Sequence, residues 1–252
     1  MRRELKFLVA ERDRERLAAR LAPFVRPDAH ADRTTGGYTV RSIYFDTPGL
    51  RDYADKLSGD HARRKVRVRG YNAPGAAPVV LEVKRKRGAG SWKDRAPMPA
   101  AEAARLLAGG RPAPGAPDAV ARFLYRLRAE HRRPTLLVTY DREPLVGRFD
   151  PSLRVTLDRR LRCAPYPRLG AALEGLYADG PAGGLAPVLD GRLVLEVKFD
   201  RAFPSWLTGV LAPLDAPRLA LSKYGMGLDA RIPQAPWRFG AAALPALAAR
   251  PA

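Results

Sequence analysis

The feature that most constrains this chain is a set of short segments in which charged and aliphatic residues alternate. The tetrapeptide Leu-Glu-Val-Lys occurs twice, at residues 81–84 and 195–198. The same alternation recurs at residues 4–6 (Glu-Leu-Lys), 65–69 (Lys-Val-Arg-Val-Arg) and 154–158 (Arg-Val-Thr-Leu-Asp). Because successive side chains of a β-strand point to opposite faces, each segment predicts a strand with one apolar and one charged face.

The charged faces are unusual in composition. An ordinary half-buried strand carries a mixed polar face of Thr, Ser, Gln and Lys, whereas these faces are almost entirely Lys and Arg, with one Glu apiece in three of them. The whole chain has 45 Lys and Arg against 26 Asp and Glu, a formal net charge of +19. Such an excess favours polyanionic partners, namely nucleic acid, polyphosphate, nucleotides or an anionic membrane surface, and a metal would accompany them.

Cysteine content and hydropathy indicate the compartment. Cys163 is the single cysteine, which excludes an intramolecular disulfide and favours a reducing interior. The sequence has no apolar run long enough to span a bilayer and no signal-peptide core after Arg2 and Arg3. We therefore expect a cytoplasmic protein without a transmembrane segment. Whether it works with a membrane-protein partner is left open by the sequence.

The pattern of segments predicts an α+β protein. Strands are expected at residues 3–9, 38–45, 65–71, 79–86, 91–95, 135–142, 153–160 and 193–199, and helices at 11–21, 98–107, 118–131 and around 206–211. Hairpins without regular βαβ alternation indicate an antiparallel sheet. The sheet is either open, with helices on its aliphatic side, or closed into a barrel whose charged faces line a tunnel. We expect one domain over residues 1–240 and a flexible tail over 241–252.

Several kinds of active site are excluded by the residues. The chain has no Gly-x-x-x-x-Gly-Lys-Ser/Thr phosphate loop and no plausible Ser-His-Asp or Cys-His set, and its three histidines are scattered. Phosphate would therefore be held by Arg and Lys side chains. A bound metal would be a hard ion, Mg²⁺ or Mn²⁺, on the carboxylate of Glu196, Glu82 or Glu4.

Six motifs in a fixed order carry a family resemblance. They are Glu-Leu-Lys-Phe at 4–7, Ser-Ile-Tyr-Phe-Asp-Thr at 42–47, Lys-Val-Arg-Val-Arg-Gly-Tyr at 65–71, Leu-Glu-Val-Lys-Arg-Lys at 81–86, Leu-Glu-Val-Lys at 195–198 and Ser-Lys-Tyr at 222–224. In this order, over residues 3–226, they resemble the VTC domain. That is a polyphosphate polymerase domain, one branch of the triphosphate tunnel metalloenzymes related to the CYTH proteins.

The resemblance implies a closed eight-stranded antiparallel β-barrel with helices outside, whose tunnel binds a triphosphate with a divalent metal. Carried over by motif, Glu196 is the expected ligand of Mn²⁺ or Mg²⁺, and Glu4 and Glu82 are further candidates. The expected catalytic residues are Arg67, Arg69, Lys84 and Lys198. The expected phosphate-binding residues are Lys6, Arg67, Arg69, Lys84, Lys93, Arg142, Arg154, Lys198 and Lys223.

Three functions follow as hypotheses. The first is a polymerase that moves the γ-phosphoryl group of a nucleoside triphosphate to inorganic polyphosphate or phosphate. The second is a hydrolase of tripolyphosphate or nucleoside triphosphates. It fits less well, because Arg2 stands where the hydrolytic CYTH branch opens with Glu in Glu-x-Glu-x-Lys. The third is a noncatalytic module that binds polyphosphate or single-stranded nucleic acid.

Nucleic acid is the less favoured partner in the third hypothesis. A sheet that binds nucleic acid pairs its basic groups with exposed stacking aromatics. Phe7, Tyr44, Phe45 and Phe199 instead lie within apolar patterns and are expected in the core.

Overall fold

A computed structural model gives the structure of residues 2–88, 90–179 and 184–231. Within them the chain forms a ten-stranded sheet, antiparallel throughout, and six α-helices. The strands are β1 (Arg3–Ala10), β2 (Val25–Pro27), β3 (Tyr38–Asp46), β4 (Ala62–Tyr71), β5 (Val79–Arg87), β6 (Gly90–Met98), β7 (Arg133–Gly147), β8 (Arg154–Pro165), β9 (Ala186–Pro187) and β10 (Arg192–Phe199). The helices are α1 (Arg14–Leu21), α2 (Arg51–Leu57), α3 (Ala100–Leu107), α4 (Asp118–Ala129), α5 (Ser205–Leu211) and α6 (Lys223–Arg231), with 3₁₀ turns at Glu11–Asp13 and Glu174–Leu176.

The α+β class, the antiparallel sheet and all eight predicted strands are confirmed. The predicted helix at 11–21 is divided into a 3₁₀ turn and α1, and helices α2 and α6 were not predicted. None of the helices in the described ranges is both long and apolar enough to cross a bilayer. The predicted tail at 241–252, and hence the domain boundary at 240, lies outside the described residues.

The predicted closure into an eight-stranded barrel is not found. Eight strands form one path, β1-β10-β8-β7-β3-β4-β5-β6, and β2 and β9 pair at its side with β7 and β8. The two ends of the path, β1 and β6, do not pair with each other in the part of the chain described here. The sheet therefore has ten strands rather than eight and is not closed by hydrogen bonds.

The edges of the sheet explain why closure fails. The free edge of β1 is covered by residues 217–219: Leu8 N–H donates to the Pro217 carbonyl at 3.1 Å, and Leu219 N–H donates to the Lys6 carbonyl at 3.0 Å. This segment takes the hydrogen bonds that β6 would need. At the other edge, Pro97 in β6 has no N–H to donate.

The sheet nevertheless curls so that distant strands face each other. Five strand intervals separate β10 from β5 along the path, which would place them about 24 Å apart in a flat sheet. Burial lowers the pKa of Lys84 on β5, with Arg67 adding to the effect, while Glu196 on β10 raises it and Lys198 lowers it. The charges of β5 and β10 therefore act on one another across a groove.

Three hydrophobic cores support this curl. Helices α3 and α4 pack on the outer face of β3 to β6, around Phe123 and Leu81, which are both fully buried. Helices α1 and α5 pack on the outer face of β1, β10 and β8, around Leu17 and Leu195. The third core lies on the inner face, where Leu228 of α6 joins the buried residues of β7 and β8.

Close packing places α6 on the inner face and fills one end of the groove. A Cβ atom on Gly227 would stand 2.7 Å from Leu136 Cδ2 and 3.3 Å from Cys163 Sγ, so a larger residue would force these side chains to shift. Cys163 is fully buried, and burial raises the pKa of its thiol to about 11. A buried thiol with a raised pKa is poorly reactive.

Candidate functional site

The charged faces of the strands share one side of the sheet. Cross-strand pairs align them around the curl: Glu4 lies opposite Lys198, and Lys65 lies opposite Lys84. We call this surface the charged groove. Its polar side chains are Glu4, Lys6, Ser42, Tyr44, Lys65, Arg67, Arg69, Glu82, Lys84, Lys93, Arg95, Tyr140, Arg142, Arg154, Thr156, Asp158, Glu196 and Lys198, and α6 and the residue before it add Lys223 and Ser222.

One side of the groove, the basic wall, is formed by the inner-face residues of β4, β5 and β6. Glu82 is its one carboxylate and is 1% exposed. It forms an ion pair with Arg67 on one side and accepts a hydrogen bond from Arg95 Nε at 2.8 Å on the other. Burial alone would raise the pKa of Glu82, but Arg67, Arg69 and Arg95 lower it to about 2. Because both oxygens are engaged by arginines, the geometry favours a counter-ion over the metal ligand that the sequence suggested.

The other cations of the basic wall have no carboxylate partner in the described residues. Arg69 Nε donates to Ser42 Oγ at 3.2 Å, and Lys65 Nζ donates to Ser222 Oγ at 2.7 Å. Lys84 lies between Lys65 and Lys93 in the strand register. Burial and neighbouring cations lower the pKa of Lys65 to about 8. This wall therefore carries an excess of positive charge, which an added anion would neutralise.

The opposite side, the carboxylate wall, is formed by inner-face residues of β1, β10, β8 and β7. Lys6 contacts Glu4 and lies 3.7 Å from Glu196 Oε2. Lys198 contacts Glu196 and lies 4.0 Å from Glu4 Oε2. Burial would raise the pKa of Glu196, but Lys198, Lys223 and Lys6 hold it well below its ordinary value. Glu196 is therefore ionised.

Asp158 is a second buried carboxylate of this wall. Its oxygens accept two hydrogen bonds from Arg142, at 2.7 and 2.8 Å, and its Oδ2 lies 2.6 Å from Lys223 Nζ. The Tyr140 ring lies against both cations, 5.3 Å from the Arg142 guanidinium carbon and 4.8 Å from Lys223 Nζ. Burial raises the pKa of Asp158, but the two cations lower it below its usual range. Asp158 therefore fixes both Arg142 and Lys223 in place.

The end of the groove next to α6 is aromatic. Tyr224 stacks on Tyr44 with ring centroids 4.9 Å apart, and its hydroxyl donates to Asp46 Oδ2 at 2.7 Å. The Tyr44 hydroxyl accepts a hydrogen bond from Arg67 Nη1 at 3.0 Å. Burial would raise the pKa of Tyr44, but Arg67 and Lys65 lower it to about 8. Tyr44 is thus buried like a core residue, but its hydroxyl takes part in the hydrogen bonds of the groove.

The carboxylate wall has oxygen donors that suit a hard divalent metal. Glu196 lies opposite Thr156 in the register, and the buried Thr156 Oγ1 has no hydrogen-bond partner among the residues that the structure describes. Glu4 lies on the neighbouring strand within reach of the same Lys198. No group of three His, Cys, Asp or Glu comes together in the described residues. Mg²⁺ needs only one or two carboxylates when substrate phosphates complete its coordination, so this donor set fits such an ion.

The groove brings the predicted phosphate-binding residues onto one surface, although their surroundings differ. Arg154 lies at the rim, where its side chain is 44% exposed and pairs with Asp28. Lys93 is exposed on the edge strand β6. Lys6, Lys198, Arg142 and Lys223 have carboxylate partners, whereas Arg69, Lys84 and Lys93 have none in the described residues.

Sequence analysis assigned no site role to eight residues of the groove, namely Ser42, Tyr44, Lys65, Arg95, Tyr140, Thr156, Asp158 and Ser222. Asp158 and Lys65 lie in segments whose alternation places them on the same face as the predicted residues, so the period of two already indicated them. Ser222 lies in a motif of the family resemblance but was given no role. Tyr44 lies in the motif at 42–47 but was expected in the core, because its aliphatic and aromatic neighbours make it look like ordinary core.

Comparison with known proteins gives two kinds of match and one absence. No curated protein matches the chain significantly. Among solved structures it is similar to an adenylyl cyclase-like protein of Hippeastrum described with a dominant triphosphatase activity, at 14% identity over 92% of this chain and 97% of that one, TM-score 0.46. It is also similar to a Pyrococcus horikoshii OT3 protein, at 14% identity over 91% and 100%, TM-score 0.44. A Bacillus halodurans candidate adenylate cyclase has 15% identity over 83% and 85%, TM-score 0.45.

The family comparison is the more extensive one. A sequence model of the VTC domain matches residues 1–231, which includes every strand and helix described above. This match agrees with the six ordered motifs, which lie on β1, β3, β4, β5, β10 and the start of α6. The chain belongs to the VTC domain family.

Proposed function

We propose that this protein is a metal-dependent phosphotransferase of the polyphosphate polymerase type. It would move the γ-phosphoryl group of a nucleoside triphosphate to the end of a phosphate or polyphosphate chain. Membership of the VTC domain family carries the proposal. The groove supports it, because one wall has cations without carboxylate partners in the described residues and the other has carboxylates suited to a metal.

The basic wall would bind the triphosphate. Arg67 and Arg69 supply planar guanidinium groups that match pairs of phosphate oxygens, and Lys84 supplies a compact charge beside them. Arg69 makes one hydrogen bond, to Ser42, so most of its five N–H donors are free for a ligand. An anion in the groove would relieve the repulsion among these side chains, which gives binding a large electrostatic contribution.

The carboxylate wall would hold the metal and the other end of the phosphate track. Glu196 would be the main ligand of Mn²⁺ or Mg²⁺, with Glu4 and Thr156 as neighbouring oxygen donors. When bound, such an ion neutralises negative charge on phosphoryl oxygens. Asp158 would orient Arg142 and Lys223 toward the same chain, because it contacts both through short hydrogen bonds.

This arrangement needs no general base. A terminal phosphate is already largely ionised near neutral pH, since its last pKa is about 6 to 7 by comparison with phosphoserine. Catalysis would then consist of holding donor and acceptor in line and neutralising charge on the transferred group through Arg67, Arg69, Lys84 and Lys198. The proposed mechanism is consistent with the absence of a histidine from the groove among the described residues.

The test is to incubate the purified protein with ATP and Mn²⁺ or Mg²⁺ and to size the phosphate products on a gel. We expect chains that lengthen with time and that disappear in the Arg69→Ala variant. Orthophosphate as the only phosphate product would replace the polymerase by a hydrolase. Binding of triphosphate without consumption of ATP under any of these conditions would contradict both activities and leave a binding module.

A further inference from the structure

A row of three lysines crosses the basic wall at right angles to its strands. Lys65 on β4 lies opposite Lys84 on β5, and Lys84 lies opposite Lys93 on β6, all on the face of the charged groove. Neighbouring strands are about 4.8 Å apart, so the row spans about 10 Å. We call Lys65, Lys84 and Lys93 the lysine row. In the described part of the wall, the row on one side is Arg67, Glu82 and Arg95, which contains a carboxylate. The row on the other side is Arg63, Lys86 and Ser91, which has two cations rather than three.

The lysine row has a direction. Lys93 is exposed on the edge strand, Lys84 is partly buried, and Lys65 lies beside the aromatic end of the groove. The Lys65 ammonium donates to Ser222 Oγ, just before α6, at 2.7 Å. The row therefore runs from solvent to the end of the groove that α6 fills.

The Lys65 ammonium makes fewer hydrogen bonds than it has N–H donors. An ammonium has three N–H groups, and the one hydrogen bond that Lys65 makes in the described residues goes to a neutral hydroxyl. The charged groups that act on it include Lys84, Arg67 and Lys56, which oppose its charge and together with burial outweigh the opposite effect of Tyr44. A bound anion would therefore stabilise the charged form of Lys65, whereas the hydrogen bond to the neutral Ser222 hydroxyl does not require that charge.

We propose that Lys65 is a further phosphate-binding residue and grips the phosphate that lies deepest along the lysine row. A polyphosphate chain would enter past Lys93, pass Lys84 and place a phosphate between Lys65 and Ser222. The row thereby distinguishes a chain of three phosphates, which reaches all three ammonium groups, from one of two. This inference rests on the proposed function only in placing a polyanion in the charged groove.

The test measures binding without turnover. Calorimetric titration of the protein with tripolyphosphate and with pyrophosphate, in the absence of divalent metal, gives two dissociation constants. Their ratio, the pyrophosphate constant divided by the tripolyphosphate constant, measures the preference for the longer chain. In Lys65→Met we expect the constant for tripolyphosphate to rise about tenfold, the loss typical of one charge-assisted hydrogen bond. The constant for pyrophosphate should rise much less, because pyrophosphate can occupy Lys84 and Lys93. The ratio should therefore fall.

A matched control separates the row from the general field of the wall. Lys86 is on the same strand and face as Lys84 but pairs with Ser91 in the register, one row beyond. Lys86→Met also removes one charge, and it should change both constants slightly and equally. An equal fall of the ratio in Lys86→Met would overturn the proposal in favour of nonspecific attraction.

Two further outcomes keep the inference separate from folding and from the proposed activity. If Lys65 only tethers the segment before α6, the Lys65→Met protein should melt at a lower temperature and should bind both ligands more weakly by the same factor. That result would overturn the proposal. Lys65→Arg keeps the charge and should restore much of the ratio. If the Lys65→Met protein still makes polyphosphate and the ratio of dissociation constants is unchanged, this inference is wrong and the proposed activity stands. If the ratio falls in Lys65→Met but the unmodified protein makes no polyphosphate, this inference is supported and the polymerase activity is not.

Discussion

The two walls of the charged groove are built from the same alternating pattern but handle charge in opposite ways. On the carboxylate wall, Glu4, Asp158 and Glu196 contact nearly every neighbouring cation. On the basic wall, Glu82 is the one carboxylate, and it engages Arg67 and Arg95. The first wall is close to internally neutral and holds its cations in fixed positions. The second carries uncompensated charge, which a ligand would have to balance.

This contrast favours different roles for Glu82 and Glu196, two glutamates with the same sequence context. Glu82 and Glu196 both occur in Leu-Glu-Val-Lys, and both are ionised and buried. Glu82 is paired to two arginines, whose charge cannot be removed by deprotonation. Glu196 is paired to lysines, which can move away on flexible stems when a divalent ion approaches.

The largest expected effect comes from Glu196→Gln. This change keeps size but removes the charge that a hard divalent cation needs, so metal-dependent phosphate transfer should fall about a thousandfold, roughly 4 kcal/mol. Tripolyphosphate should still bind, because the basic wall is untouched. Initial rates with Mn²⁺ and Mg²⁺, together with calorimetric titration, measure the two properties separately.

Glu82→Gln is the matched comparison and should be milder in transfer. It leaves Arg67 and Arg95 without their counter-ion, so its main effect should be on apo stability and on the position of Arg67. If Glu82→Gln were inactive and Glu196→Gln near wild type, the roles of the two walls would have to be exchanged.

The second effect concerns the ligand itself. Tripolyphosphate at a hundred times its dissociation constant should stabilise the fold by about 2.7 kcal/mol, since it binds only the folded state. Because we expect the polyanion to bind inside the groove rather than on an outer surface, duplex DNA should leave the melting temperature almost unchanged. Thermal unfolding with each polyanion at equal phosphate concentration tests this. Equal stabilisation by DNA would mean that the uncompensated charge acts as an outer surface patch.

The third effect distinguishes two arginines two residues apart on β4. Arg67→Ala removes one partner from buried Glu82 and from the Tyr44 hydroxyl, so apo stability should fall by about 1–3 kcal/mol. Arg69→Ala removes a hydrogen bond to Ser42 but also relieves repulsion, so apo stability should hold or rise. Both variants should lose turnover. Urea unfolding without ligand measures the free energy of unfolding of both variants. A large loss of that free energy in Arg69→Ala would mean that Arg69 stabilises the fold and would contradict this prediction.

The sequence predicted the strands and their charged face well, because a period of two is a local property. Residues 65–69 illustrate this, since Lys65, Arg67 and Arg69 all project into the groove as their alternation requires. The closure of the sheet could not be predicted in this way. It depends on residues 217–219, an irregular segment without periodicity, which occupy the free edge of β1.

The pairing of charges was likewise beyond the sequence. Asp158 meets Arg142 from the adjacent strand and Lys223 from a helix 65 positions along the chain, and no local pattern encodes such contacts. Helix α6 was missed for a related reason. Gly225 and Gly227 are poor helix formers, and at Gly227 the close approach of Leu136 and Cys163 on the inner face favours the absence of a side chain.

The smallest effect is a pH dependence of the apo protein that reports the uncompensated charge directly. The pKa of Lys65 is about 8 in the folded chain against 10.5 for an ordinary lysine, because burial and the cations Lys84, Arg67 and Lys56 lower it by more than Tyr44 raises it. Between these values the unfolded chain binds more protons than the folded one, so the free energy of unfolding should rise with pH. From pH 7 to 9 the contribution of Lys65 should be about 1 kcal/mol. Denaturant unfolding across this range should show a shallower slope in Lys65→Met, and saturating tripolyphosphate should reduce the difference between the two proteins. A slope that is the same in both apo proteins would mean that Lys65 already has its charge balanced without a ligand.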